Sequence, residues 1–287
     1  MAMASPSASP LSLSLSIDTL SSSSSSSTFP HRPSLSFLSS PRLPSLSAHK
    51  THLNSFLDPT SLLRLRTLDS FLSTRPLRDR GSLDIRPMAP DEAGPASDLL
   101  AESFSESTMM PAGYAKLLAF LVRQYVSERS ALVPHAVMLV GFYREDGGEA
   151  ELACTAEISF DARGANAAPP TPSPPRNCPY ICNMTVKKSL RRKGIGRELL
   201  NACEELISQM RTIRKVYLHC RMIDTVPFGM YRKAGYKIIK TDSILVWFTF
   251  QRRKYLMCKE LPPSYDVQSD TPDYDEHKQA DDSTVDS

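Results

Sequence analysis

The 287-residue chain has no run of about 18 or more uncharged apolar residues. Its best candidate, 131–143, is short and contains Pro134 and His135, so a membrane span is not expected and a soluble protein is. Cysteine is sparse as well. The six cysteines (154, 178, 182, 203, 220, 258) include no CxxC, which argues against a disulfide scaffold. Cys178 and Cys182 lie four apart without a His-rich partner, so no metal site is expected. Reduced, partly buried thiols are the default reading.

Acids are almost missing from the first 50 residues, which hold 19 serines and a single Asp18. Such a stretch cannot bury enough apolar surface to fold. Serine-rich and acid-poor, residues 1–75 read as an organelle transit peptide, and the shortage of early arginine favours a plastid over a mitochondrion. A secretory signal fits less well, because apolar residues alternate with serine from Leu11 to Ile17. At the other end, residues 262–287 carry eight acids against Lys278 and read as a disordered acidic tail. The overall charge of +3 therefore averages a basic leader, a basic body and an acidic tail.

The folded body is expected at 76–261. Leu83 to Arg86 alternates as a strand, and helices are expected near 90–105 and 113–129. Strands at 136–143 and 150–160 flank the turn signal Asp146-Gly147-Gly148 and form a hairpin. Six prolines make 161–179 an exposed loop insertion, read either as a spacer or as part of a substrate groove. Order returns with a strand at 180–186, a helix at 194–210, a strand at 215–220, a helix at 227–234, and strands at 236–241 and 253–261. The apolar stretch Ile244 to Phe250 has no assignment between strand and loop. Hairpins mixed with β-α-β crossovers imply an α/β fold whose mixed sheet carries helices on both faces.

Chemistry concentrates in Arg191-Arg192-Lys193-Gly194-Ile195-Gly196-Arg197, between a strand and an amphipathic helix. Glycines let backbone N–H groups approach an anion, the helix N-terminus adds its positive dipole end, and the flanking cations add full charge. That combination suits a pyrophosphate. Leu199 replaces the third glycine of a dinucleotide fingerprint, and no Gly-Lys-Ser/Thr follows as a P-loop requires. A nucleic-acid patch is the weaker reading, since no aromatics interleave with the charges.

The spacing Arg191-x-x-Gly194-x-Gly196 resembles the acetyl-CoA signature of the GCN5-related N-acetyltransferases (GNAT). Met230 to Tyr236 is similar to that family's second hallmark, an apolar-Tyr-x-x-x-Gly-aromatic run. Tyr180-Ile181 and Leu218-His219 recur at the spacings of the NatE-type N-terminal acetyltransferases, and the leader adds a likeness to plant plastid acetyltransferases that modify N-termini and lysines. The resemblance implies a mixed, mostly antiparallel sheet of six to seven strands with about four helices. It implies acetyl-CoA as co-substrate, held by Met184, Thr185 and Val186, by residues 191–197 (Arg191, Arg192, Lys193, Gly194, Ile195, Gly196, Arg197) and by Asp224. It further implies Tyr231 as the acid toward the departing sulfur, with Tyr180 and His219 binding a catalytic water.

Independently of the family, His219 is the side chain best suited to accept a proton at neutral pH, and strand alternation points it away from Val216, Leu218 and Cys220. Glu157 is a reserve base. Two departures stand out: Asp224 replaces the family's usual Asn and Pro227 its usual Ala. The expected partners are proteins or peptides with free amines. A small-molecule amine acetyltransferase and an acetyl-CoA-binding regulatory protein are the alternatives.

Overall fold

The computed structural model describes residues 58–77, 81–108, 114–166, 170–210, 213–244, 246 and 252–262. Most of the expected leader, the acidic tail and most of the apolar 244–250 stretch lie outside these residues. The first described elements, helix α1 (Pro59–Ser70) and strand β1 (Ser73–Leu77), lie before or across the expected boundary at residue 76. Helix α1 starts where Asp58 accepts hydrogen bonds from the Ser61 backbone N–H and hydroxyl, both at 2.9 Å, with Pro59 at the first helical position. Only Ser61, Arg64 and Leu68 of α1 are buried, so hydrophobic periodicity gave no sign of it. Polar contacts tie this N-terminal segment down: Arg64 pairs with Asp161, and Arg75 pairs with Glu205 at 2.6 Å.

The remaining elements follow the expected order. They are β2 (Gly81–Pro87), α2 (Ala93–Thr108), α3 (Ala115–Ser130), β3 (Ala136–Glu145), β4 (Glu151–Ser159), β5 (Tyr180–Val186), α4 (Ile195–Gln209), β6 (Lys215–Arg221), α5 (Thr225–Lys233), β7 (Lys237–Thr241) and β8 (Lys254–Glu260). The described residues thus hold eight strands and five helices, more than the six to seven and four expected, and the additions are mainly α1 and β1. Strand order is β1-β2-β3-β4-β5-β6-β8-β7, with every neighbouring pair antiparallel except β5 and β6.

Two hydrophobic clusters lie on the two faces of this sheet. Leu139 of β3 packs in one with Leu68 and the α4 stripe of Leu199, Leu200, Cys203, Leu206 and Ile207. Its neighbour Met138 points the other way and packs with Leu100 of α2 and Leu118, Val122 and Tyr125 of α3.

What positions the site is the junction of β5 and β6. Their ladder consists of two residue pairs, Tyr180 with Tyr217 and Ile181 with Leu218. Past these pairs the strands part and open a wedge. On its other side β5 is bulged against β4, where the register shifts between Thr155 and Glu157. Asn183 sits at that bulge with φ +50°, a left-handed conformation that asparagine tolerates better than most residues.

Candidate active site

The strand-turn-helix that closes the wedge is built from the glycine segment. After β5 comes a short 3₁₀ turn at Lys188–Leu190, then Arg192 and Gly194 with φ of +73° and +91°, and then α4. The Gly194 carbonyl begins the helix by accepting from the N–H groups of Arg197 at 3.0 Å and Glu198 at 3.2 Å. The first-turn N–H groups of a helix have no intrahelical acceptor and carry the positive end of its dipole. Gly194 is required by its backbone angle. Gly196 is not required by packing, since a Cβ there would meet Met230 and Val186 at 3.5 and 3.6 Å, ordinary contact distances. A glycine at this position leaves the backbone N–H groups accessible to an anion.

Most of the basic side chains expected at the phosphates have protein partners. Arg191 donates to the Val186 carbonyl at 3.0 Å and pairs with Glu106 of α2 at 2.7 Å, and Lys188 joins the same carboxylate at 3.3 Å. These cations hold the Glu106 carboxyl below its ordinary range, chiefly through the Arg191 hydrogen bond. Lys193 lies over the Tyr143 ring, 4.9 Å from its centre, and Arg197 pairs with Glu198 at 3.0 Å. Arg192 is exposed. An anion at this loop would therefore meet backbone donors first.

On the far side of the wedge, the buried Tyr231 of α5 directs its hydroxyl to the Met184 sulfur of β5 at 3.7 Å. Burial raises its phenol above the ordinary value, so the group stays protonated. Thr185 is buried, whereas Met184 and Val186 are half-buried along β5. Asp224 precedes α5, but its carboxylate accepts from Arg221 at 2.7 Å, which engages the group expected to reach a ligand. Pro227 falls in the first turn of α5, where a missing N–H removes no helical hydrogen bond.

His219 lies, as alternation demands, on the face opposite Val216, Leu218 and Cys220. Its Nδ1 is 2.9 Å from the Tyr180 hydroxyl, and its Nε2 is 2.9 Å from the carbonyl oxygen of Pro172 in the proline-rich loop. Desolvation is the main cause that pulls its pKa down to about 4, and Lys254 adds to this while the Pro172 carbonyl and Asp242 oppose it. The imidazole is neutral at pH 7.

Glu157 occupies a different setting from the reserve base expected of it. It is fully buried, paired with Arg129 of α3 at 2.5 Å, and accepts from Tyr125 at 2.6 Å and Asn183 at 2.8 Å. Arg129 also donates to Ser159 at 3.0 Å and to the Gly164 carbonyl. This carboxylate already accepts from three side chains, and through Asn183 it pins the bulge of β5. Arg129, Tyr125, Asn183 and Pro172 were not singled out from sequence. Only asparagine's tolerance of left-handed backbone could have marked one of them.

The model of the acetyltransferase (GNAT) family matches residues 108–236, which run from the end of α2 through the glycine loop to the residue before β7. The chain is 51% identical over 216 residues to "GCN5-related N-acetyltransferase 5, chloroplastic" of Arabidopsis thaliana, covering 72% of this chain and 67% of that protein. It is 36% identical over 64 residues to "GCN5-related N-acetyltransferase 6, chloroplastic" of the same plant, 22% of each chain. Among solved structures, a GNAT-family acetyltransferase from Streptococcus pneumoniae aligns at 16% identity and a TM-score of 0.43, over 63% of this chain and 99% of that one. An identity of one residue in two, sustained over two thirds of a full-length relative, is far beyond what a shared fold alone produces, and the chain belongs to the GNAT family of acetyltransferases.

Proposed function

We propose that this protein is a plastid N-acetyltransferase that moves the acetyl group of acetyl-CoA onto protein amines, N-terminal α-amines and lysine ε-amines, by direct attack in a ternary complex. The observation that carries the reading is the left-handed Arg192-to-Gly194 turn, whose helix N-terminus opens beside the wedge between β5 and β6. A pyrophosphate fits the first-turn N–H groups of α4 and the open space at Gly194. The pantetheine arm fits the wedge, with the backbone of Met184 and Val186 as its partners. The "chloroplastic" relative and the serine-rich, acid-poor leader support the plastid location.

Bound acetyl-CoA supplies a thioester whose carbonyl carbon is open to attack by an amine. An α-amine, with a pKa near ~7.7–8.0, is mostly protonated at pH 7, and a lysine near ~10.4 is neutral in only about one molecule in 2,500. Proton removal is therefore useful, and the neutral His219 with its partner Tyr180 can provide it. Tyr231 acts at the sulfur. A thiol of pKa about 8.5 is a stronger acid than a phenol held above its usual ~10, so Tyr231 stabilises the developing thiolate by donating a hydrogen bond.

Mass spectrometry of host proteins after expression of residues 58–287 in a bacterium should show newly acetylated N-termini and lysines. With a reactive peptide, Tyr231→Phe should lower kcat by about 10²-fold while the KM for acetyl-CoA stays within twofold. Unchanged turnover in that variant would remove Tyr231 from the mechanism, and acetylation confined to small amines would overturn the protein-substrate reading.

A further inference from the structure

We propose that the proline-rich loop is a positioning element of the site. The Pro172 carbonyl holds His219 in its Nε2–H tautomer, which turns the Nδ1 lone pair to Tyr180 and makes the Tyr180 oxygen the first proton acceptor for the attacking amine. This rests on the acetyl-transfer reading above.

The tautomer follows from elementary bonding. A carbonyl oxygen has no proton to give, so the Nε2 lying 2.9 Å from it must donate. A neutral imidazole carries one N–H, so Nδ1 is an acceptor and the Tyr180 hydroxyl, 2.9 Å away, must be its donor. The phenol oxygen then keeps its lone pairs for an incoming proton. In the step itself, a proton leaves the attacking nitrogen, directly or through one water, and bonds to the Tyr180 oxygen as the original Tyr180 proton passes to Nδ1. The resulting imidazolium has both N–H groups satisfied, one by Tyr180 and one by Pro172. When products leave, the proton returns along the same two hydrogen bonds to solvent. The opposite tautomer would present an N–H to Tyr180 and turn the one basic lone pair, on Nε2, toward the Pro172 carbonyl, out of the relay.

The loop is built to hold that carbonyl still. At its start, Gly164 is wedged against His135, whose carbonyl oxygen would lie 1.9 Å from any Cβ at 164, and the Gly164 carbonyl accepts from the buried Arg129. At its end, the Pro179 carbonyl accepts from the Tyr217 N–H at 3.0 Å, beside the first β5–β6 pair. Prolines at 170, 172, 174 and 175 restrict the backbone between these anchors and reduce the entropy lost in fixing it. Besides Tyr180 of β5 and the Pro172 carbonyl, the charges that act on His219 are Lys254 of β8 and Asp242 after β7, which oppose each other.

The test uses the full chain and a variant of it in which 171–175 are replaced, at equal length, by glycine and serine. Long-range proton–nitrogen NMR of the imidazole, assigned by loss of the signal in His219→Gln, reads tautomer and titration together. The native protein should show the Nε2–H form, still neutral at pH 5.5. The loop variant should show mixed tautomers, titration moving toward the ordinary 6.5, and at least tenfold lower kcat with the KM for acetyl-CoA within twofold. An Nδ1–H tautomer in the native protein refutes the loop's role whether or not the variant folds, as does a variant with unaltered tautomer and kcat. If the native protein shows the Nε2–H form yet acetylates no amine, the acetyl-transfer reading fails and the relay with it.

Discussion

Replacing Glu157 by Gln separates a structural carboxylate from a catalytic one. Glu157 is 0% exposed and the Arg129 side chain 7%, so the pair is sealed from water. A glutamine of nearly the same shape still offers one oxygen, but it leaves the guanidinium without a counter-charge. Breaking a buried pair in this way costs about 3–5 kcal/mol, a large part of the roughly 5–15 kcal/mol that holds a typical domain together. The hydrogen bonds from Arg129 to Ser159 and Gly164 soften the loss without supplying charge. Arg129→Met should cost a similar amount, because it leaves the buried carboxylate with neutral donors such as Tyr125 and Asn183 and no counter-charge. The double variant should be markedly more stable than the sum of the two losses, since neither buried charge remains. Urea denaturation of the four proteins at pH 7.5 measures the cycle, and turnover per folded molecule is followed alongside. Glu157→Gln should keep kcat within about threefold once corrected for the folded fraction. Single losses below about 1 kcal/mol that simply add, or a hundredfold drop in kcat in a fully folded Glu157→Gln, would refute this assignment.

Two further outcomes follow from the same geometry. The His219 pKa lies at about 4 in the folded protein against an ordinary 6.5, so the neutral form is favoured by folding. Its contribution is complete above pH 6.5 and is lost as pH falls toward 4, up to about 3 kcal/mol at 1.36 kcal/mol per unit. The stability difference between native protein and His219→Gln, from denaturation at pH 7, 6, 5 and 4, should shrink by that amount, and a constant difference would show that the imidazole is not held neutral. Gly194→Ala forces a side chain onto φ +91°, which should cost about 1–2 kcal/mol in thermal or urea unfolding and raise the KM for acetyl-CoA more than it lowers kcat.

Local features of the site were legible because short-range rules govern them. The α4 stripe, the glycine turn into its N-terminus, and the placement of His219 opposite Leu218 all follow from helical or strand periodicity. Helix α1 was not legible, since it buries a serine and an arginine and is fastened by ion pairs that no periodicity records. Glu157 reads from sequence as a reserve base because its partner Arg129 lies 28 residues earlier on another element. For the same reason spacing does not record that Glu106, 85 residues before Arg191, pairs with one of the cations expected at the phosphates.

By itself the sequence determined the fold class, the left-handed glycine turn and the family, because these rest on residue spacing and on backbone angles that glycine alone adopts freely. Tertiary structure alone decided which polar groups are spoken for. It closed the Glu157 carboxylate around Arg129, turned Asp224 onto Arg221, and brought a loop carbonyl 47 residues away to His219. A hydrogen bond needs its two atoms within about 3 Å, and only the folded chain sets that distance.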